Sequence, residues 1–470
     1  MRRTASARRS AWSGACVLAC ALGATGCQSA LIGTSRDAGR GVVDASDGVD
    51  ATLPPGIDAG PLPPGTDAGP PLPPGTDAGM PLPGADGGTP PPPPPPGEWR
   101  VVAYYTAWSM YARDFHVSEI DGAHLTHINY AFANISESGE CVLGDSYADV
   151  DRFYDGDSWD TGALRGNLHQ LQLLRARHPH VQILISIGGW TWSQRFSDLA
   201  RTAEGRARFA RSCADFMQRY ELDGIDVDWE YPVGGGLYPG RPEDRENYTL
   251  LLAAIRSELE ARGSATGRHY LLTIAAPAGP PLVANLDVPG IVRSVDWINV
   301  MTYDFYGAWS EVTGFNAPMR PVPGDPSAES VRTGFNVTAC IDAYLATGIP
   351  PSALTLGVPF YGRTFAGVGS AGNGLFQRFS GPAAGSWENG IVDWRDLAAN
   401  YLPTWTRHYS EVAEVPWLYD AGRQVFVSYD DPDSLRRKLR FARERGMSGV
   451  MAWDLSSDDD AHTLLRVLSE

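Results

Sequence analysis

The stretch "LDGIDVDWEYP", residues 222–232, alternates acidic and apolar side chains. Asp226, Asp228 and Glu230 occupy every second position, with Val227 and Trp229 between them. A period of two reads as a β-strand, on which alternate residues share one face. The three carboxyls therefore face the same way, neighbours about 7 Å apart at Cα. Ile225 and Val227 face the opposite layer. Three close carboxyls repel one another, so at least one is expected to keep its proton near neutral pH. A carboxyl protonated at neutral pH can serve as a general acid. Spacing alone leaves two other readings open, a divalent-metal cluster and a solvated acidic edge.

The sequence around this stretch supplies context. From residue 98 onward, seven further apolar runs have β character: 100–108, 124–135, 181–190, 269–279, 295–307, 353–362 and 447–457. Helical patterns such as "GRARFARSCADFMQRY", "YTLLLAAIRSELEAR" and "DSLRRKLRFARERG" separate them. Eight near-continuous apolar strands with helical crossovers predict an α/β fold, a parallel (β/α)8 TIM barrel. Residues 364–430, between the seventh and eighth strands, are rich in Trp, Tyr and Gly. That segment is too long for a plain loop and is expected to form a small inserted α+β module. Barrel active sites lie at the C-terminal ends of the strands. The row of acids ends the fourth strand and would open into that mouth. Other strands end there in Trp108, "SIGGW" (186–190), "MTYD" (301–304), "FYGR" (360–363) and Trp453-Asp454.

The chain has 470 residues, 43% hydrophobic residues and 14 Trp, enough for a substantial core and for aromatic surfaces that stack flat ligands. A net charge of −17 argues against a nucleic-acid partner. The first 27 residues carry four Arg, no acid, a short apolar stretch and a small-residue cleavage site. They read as a secretory signal, too short for a membrane span. Residues 28–97 repeat "LPPGIDAGP" and "LPPGTDAGP" and end in a Pro run. With few large apolar residues they cannot bury a core and read as a disordered spacer, extending roughly 200 Å if polyproline-like throughout. The catalytic body is therefore expected over 98–470. Its three cysteines, Cys141, Cys213 and Cys340, are scattered and odd in number, so no disulfide framework is evident.

The motifs taken in order resemble family 18 of the glycoside hydrolases, the chitinases. "DGIDVDWEYP" is similar to that family's D-x-x-D-x-D-x-E signature, and "SIGGW" to its S-x-G-G motif. "MTYD", "GVPFYGR" and "GVMAWDLSSD" also match, so the resemblance covers residues 99–470, including the insertion of the bacterial subfamily. It implies hydrolysis of chitin or chito-oligosaccharides, with no cofactor and no metal. Glu230 would be the general acid. Asp228 would move between Asp226 and the substrate's acetamide, and Tyr303 would hydrogen-bond the acetamide carbonyl. Ser186 and Asp226 would tune Asp228, and Trp453 would form the floor under the cleaved sugar. Tyr104, Phe132, Trp190, Tyr231, Met301, Asp304, Tyr361 and Arg363 would line the groove, and Trp309 resembles a leaving-side stacking residue. Gly188 and Gly189 would permit close backbone approach.

Several of these residues also have a packing reading: Trp453 as barrel core, one of Trp190 and Trp192 as core, and Met301 as both core and groove. The resemblance further implies non-proline cis peptides at Ala131–Phe132, Glu230–Tyr231 and Trp453–Asp454. "ATGC" before Cys27 resembles a bacterial lipoprotein signal, with Ala24 where Leu is usual. A monomer attached to the membrane only through a lipid on Cys27 is expected. Two other functions share the fold: a chitin-binding lectin, which typically loses the acid, and an endo-β-N-acetylglucosaminidase.

Overall fold

A computed structural model of the protein describes residues 99–470. The signal (1–27), Cys27 and the spacer (28–97) lie outside the described residues. Eight strands run in order: β1 (Arg100–Thr106), β2 (His127–Ile135), β3 (Gln182–Gly188), β4 (Gly224–Asp228), β5 (Leu271–Ala276), β6 (Trp297–Val300), β7 (Leu354–Pro359) and β8 (Gly449–Trp453). Every neighbouring pair is parallel, and β1 pairs with both β8 and β2, so the sheet closes. This is the expected (β/α)8 barrel.

The principal crossover helices are α1 (Gly166–Arg177), α2 (Ala203–Arg219), α3 (Asp244–Thr266), α4 (Val337–Leu345) and α5 (Pro432–Glu444), with α6 (Thr463–Leu468) after β8. Local sequence explains their limits. Thr202 caps α2 by accepting from the Gly205 amide. Asp431 and Ser434 cap α5 reciprocally, with Pro432 in the first turn. α3 stops where Gly267 turns left-handed at φ 70°. Phe209, Ala210, Cys213, Phe216 and Met217 recur at helical spacing on α2 and form its buried face.

The strands separate two apolar layers. Ile225 and Val227 of β4 point outward into the main core, with Leu251 and Leu252 of α3. Val102, Tyr104, Leu184, Leu271 and Met451 fill a second cluster, with Phe132, Tyr303 and Tyr361. Alternate residues of the strands divide between these layers, as the period of two requires.

Between β7 and β8 lies an antiparallel sheet. Tyr361–Ala366 pairs with Val425–Ser428, which pairs with Val415–Asp420 and then Thr406–Ser410. On its other edge Tyr361–Ala366 takes the short strands Gly381–Pro382 and Ile391–Asp393. The sheet opens at Tyr361, directly after β7, so Tyr361 and Arg363 lie on its first strand. A fully buried ion pair, Lys438 to Asp430 at 2.6 Å, joins α5 to the segment that leaves the sheet.

The strands are shorter than the apolar runs. β4 ends at Asp228, so Glu230 lies beyond the strand and not on it. The cause is local. Trp229 turns into the core, stacked on Phe196 at 5.3 Å and edge-on to Tyr248 at 5.1 Å. The Glu230 amide then donates to Ser193 Oγ at 2.8 Å, outside any strand ladder.

Candidate active site

Asp226 and Asp228 end β4 inside the barrel, both buried. Asp226 accepts four hydrogen bonds from four different strands. Tyr104 (β1) and Ser186 (β3) donate to Oδ2, each at 2.8 Å. Thr273 (β5) donates to Oδ1 at 2.6 Å, and Asn299 Nδ2 (β6) at 3.3 Å. Asn299 is oriented in turn, because Trp297 Nε1 and Thr355 Oγ1 both donate to its Oδ1, at 2.9 and 2.7 Å. Burial raises the Asp226 pKa, and the four donors oppose that rise.

Asp228 is buried to the same degree but differently served. Its Oδ1 has no hydrogen-bond partner among the described residues. Burial holds its pKa well above the usual carboxylate range, and the neighbouring charges of Glu230 and Asp226 add to the rise. Glu230 is half-buried at the mouth. Burial pushes its pKa up to about 7; a hydrogen bond from Tyr231 opposes this and the charge of Asp304 adds to it. A carboxyl tuned to that range holds a proton it can donate near neutral pH.

Ser193 fixes the backbone that carries these acids. Besides receiving the Glu230 amide, its hydroxyl reaches the carbonyls of Gly189 at 2.8 Å and Asp228 at 3.2 Å. Gly188 adopts φ +110°, and a Cβ there would lie 2.3 Å from the Asp228 carbonyl oxygen. Gly189 adopts φ +78°, and its Cβ would strike the Phe132 ring at 2.6 Å. Both glycines therefore let β3 close on β4 and β2.

Aromatic rings gather at the strand ends. Trp453, closing β8, lies 5.8 Å from Phe132 at an interplanar angle of 21°, 5.3 Å from Tyr104 and 6.5 Å from Trp108. Trp190 meets Tyr231 edge-on at 6.5 Å. Trp192 packs on Gly144, and Met301 packs with the inner cluster. Tyr303 is buried, meets Tyr361 edge-on at 6.3 Å, and carries a hydroxyl whose pKa is raised by burial and then by Asp228. Asp304, at φ 61°, accepts from Tyr361 Oη at 2.6 Å and from Arg363 Nε at 2.8 Å. The Arg363 guanidinium in turn lies 4.9 Å over the Trp309 ring. All three non-proline cis peptides expected from the resemblance are present.

The structure thus brings together, at one end of the barrel, the residues singled out in its body. It adds others. Thr273, Asn299 and Ser193 carry no motif signal, because their roles rest on contacts across 37 to 73 residues of sequence. Glu388 bridges Ile391, whose strand pairs with Arg363, and its pKa is raised by burial against the opposing charges of Arg363 and Arg113. Its neighbour Trp387 donates to Asp393 at 2.7 Å and lies 5.8 Å from the Arg113 guanidinium. Among the described residues no group of three or more His, Cys, Asp or Glu is placed to hold a metal ion.

Residues 100–458 match the family described as Glycosyl hydrolases family 18. The chain is 42% identical over 400 residues to "Chitinase A1" of Niallia circulans, covering 77% of this chain and 56% of that protein. It is 38% identical over 359 residues to "Endochitinase 1" of Metarhizium robertsii, covering 76% of this chain and 80% of the other. Thus the chain spans little more than half of the bacterial relative and most of the fungal one. Among solved structures it is similar to "Chitinase ChiA74 from Bacillus thuringiensis", with a TM-score of 0.74, 36% identity, and coverage of 79% of this chain and 69% of that one. On the motifs, the barrel and these matches, the chain belongs to glycosyl hydrolase family 18.

Proposed function

We propose that this protein is a chitinase that hydrolyses β-1,4-linked N-acetylglucosamine chains with retention, using the substrate's own acetamide as nucleophile. The observation that carries this reading is the buried, unpartnered Oδ1 of Asp228 beside a carboxyl of pKa about 7. A buried acceptor without a donor costs about 1–3 kcal/mol. An acetamide N–H entering beside Asp228 satisfies it.

The residues then divide the work. Glu230 donates its proton to the glycosidic oxygen as the C1–O bond breaks. The acetamide carbonyl oxygen attacks C1 from the opposite face, giving an oxazolinium ion and a free alcohol. Asp228 accepts from the acetamide N–H, and the positive charge developing beside it favours its ionised form, against the rise that burial gives its pKa in the empty site. Tyr303 Oη donates to the acetamide oxygen and aims it at C1. Water then attacks C1, its proton passes to the Glu230 carboxylate, and the oxazolinium ring opens. Two displacements at C1 leave the β-anomer. Trp453, with Phe132 and Tyr104 beside it, offers the flat floor on which a sugar ring stacks.

Exposed aromatics support a polymeric substrate. Trp159 is 72% exposed and stacks on Phe153 at 4.4 Å and 7°. Both lie in the segment after β2, which Tyr111 Oη to Asp145 at 2.6 Å fastens to the segment after β1. The Arg165 guanidinium lies 5.1 Å from the Trp159 ring, so the exposed pair with its cation is the contact we assign to polymer outside the groove. The N-terminal signal and Cys27 support export with lipid attachment, and Cys27→Ser should release the activity from the membrane fraction. Mass-resolved products from chitin oligomers test the assignment: N-acetylglucosamine oligomers shortened by whole sugar units are expected, and no cleavage would refute it.

A further inference from the structure

Cys141 and Cys213 lie far apart in sequence and together in space. Cys141 belongs to a two-residue strand, Cys141–Val142, that pairs antiparallel with Ile135 and Asn134 at the end of β2. Cys213 lies on the buried face of α2. The strand is fastened to that helix one residue away from Cys213, since the Cys141 amide donates to Ser212 Oγ at 2.9 Å. That bond sets Cys141 beside the turn of the helix that carries Cys213, and the Cys213 pKa is raised first by burial and then by the neighbouring Cys141. Both are free in the structure. Cys340 is engaged elsewhere, on α4, where its sulfur accepts from the Gly279 amide at 3.0 Å.

We propose that Cys141 and Cys213 form a disulfide when the exported chain matures, through exchange with a disulfide of the glutathione or oxidoreductase class. Both cysteines are buried, Cys141 less completely than Cys213, so Cys141 is the one an oxidant would meet first. Its thiolate attacks the oxidant's disulfide, giving a mixed disulfide and one released thiol. The Cys213 thiolate then attacks Cys141 Sγ, forming the Sγ–Sγ bond and releasing the oxidant's second thiol. The two cysteines lose two electrons and two protons, and the oxidant's two sulfurs gain them. The pair fits an oxidising compartment, where such bonds persist.

The bond would act at the groove. The hairpin that Cys141 opens continues to Gly144, where a Cβ would lie 2.1 Å from the Phe132 carbonyl oxygen and 2.6 Å from the Trp192 ring. Tying Cys141 to α2 therefore holds the hairpin against the backbone of Phe132, beneath Trp453. It also closes a long loop of chain, which constrains the unfolded state.

The inference rests on the export proposed above, and the test separates the two. The full-length protein, purified without reductant from its native host, is alkylated after denaturation and digested without reduction. The expected result is one cross-linked peptide pair containing Cys141 and Cys213, two hydrogen atoms lighter than the reduced peptides, with Cys340 alkylated. In a second arm, reduced protein is incubated with oxidised glutathione. Formation of the same link there upholds the pairing even if the native protein proves not to be exported. Alkylation of Cys141 and Cys213 after the glutathione arm, stable glutathione adducts on them, or a link to Cys340 would overturn it. Reduction should lower the Tm of the wild type and leave that of the Cys141→Ala/Cys213→Ala protein unchanged. An equal response of the two proteins would remove the stapling role.

Discussion

Asp226 and Asp228 share one face of β4, yet among the described residues Asp226 accepts hydrogen bonds from four side chains and the Oδ1 of Asp228 from none. The first carboxylate is held; the second is left free to meet a ligand. Glu230 stands just beyond the strand, next to the free carboxyl.

Glu230→Gln should abolish hydrolysis while oligosaccharide binding persists. The amide matches the acid in shape and cannot supply the proton. Turnover by initial rate and affinity by calorimetry separate the two effects. Near-wild-type turnover would remove Glu230 from the acid role.

Asp228→Asn leaves the acid in place but removes the charge beside the oxazolinium. The expected loss is about 100-fold or more in kcat, the scale of one well-placed electrostatic contact. A loss under about tenfold would argue against acetamide assistance. A thiazoline analogue of N-acetylglucosamine should inhibit the wild type, because it mimics the cyclic ion.

The pH dependence follows from the raised Glu230 pKa. Activity needs the protonated acid, so the alkaline limb of the rate profile should fall through about 7. Stability follows the same group. Its pKa is raised in the fold from 4.5 to about 7, so the unfolded chain ionises first. The group therefore destabilises the fold progressively as pH rises from 4.5 to 7, and fully above that. Glu230→Gln should raise Tm at pH 8 and leave it unchanged at pH 4. A Tm gain at pH 4 equal to that at pH 8 would contradict the assignment.

Asn299→Leu should move the acid limb of the profile to higher pH. Removing one donor to Asp226 leaves burial less opposed, so its pKa rises. The lost donor to a buried acceptor should also cost about 1–3 kcal/mol of stability. Loss of stability with an unmoved profile would make Asn299 structural only.

Much of this site was legible in sequence, because alternation along β4 exposes Asp226 and Asp228 directly. The same rule extended the strand to Glu230, two residues too far. The period cannot register that Trp229 leaves the ladder to stack on Phe196, or that the Glu230 amide finds a serine. Thr273 and Asn299 were invisible for a related reason. Each is an ordinary inward residue of its own strand, and only closure of the barrel brings it to Asp226. The start of the inserted sheet at Tyr361 was missed because β7 and the sheet's first strand form one continuous apolar run. Glu388 stood in a loop with no periodicity at all, and its meeting with Arg363 depends on the fold of that sheet.

Trp159→Ala should slow attack on insoluble chitin by roughly two- to tenfold, the value of one lost aromatic stacking contact. Cleavage of short soluble oligomers should be unaffected. An equal loss on both substrates would place Trp159 in the stability of its segment and not in polymer capture.

Everything in this mechanism turns on the substrate's acetamide acting as the nucleophile. Its most direct test compares a fully N-acetylated glucosamine hexamer with its fully N-deacetylated counterpart, following the anomer first released by NMR. Cleavage of the acetylated hexamer alone is expected, with the β-anomer formed first. Comparable cleavage of the deacetylated hexamer, or first release of the α-anomer, would contradict it.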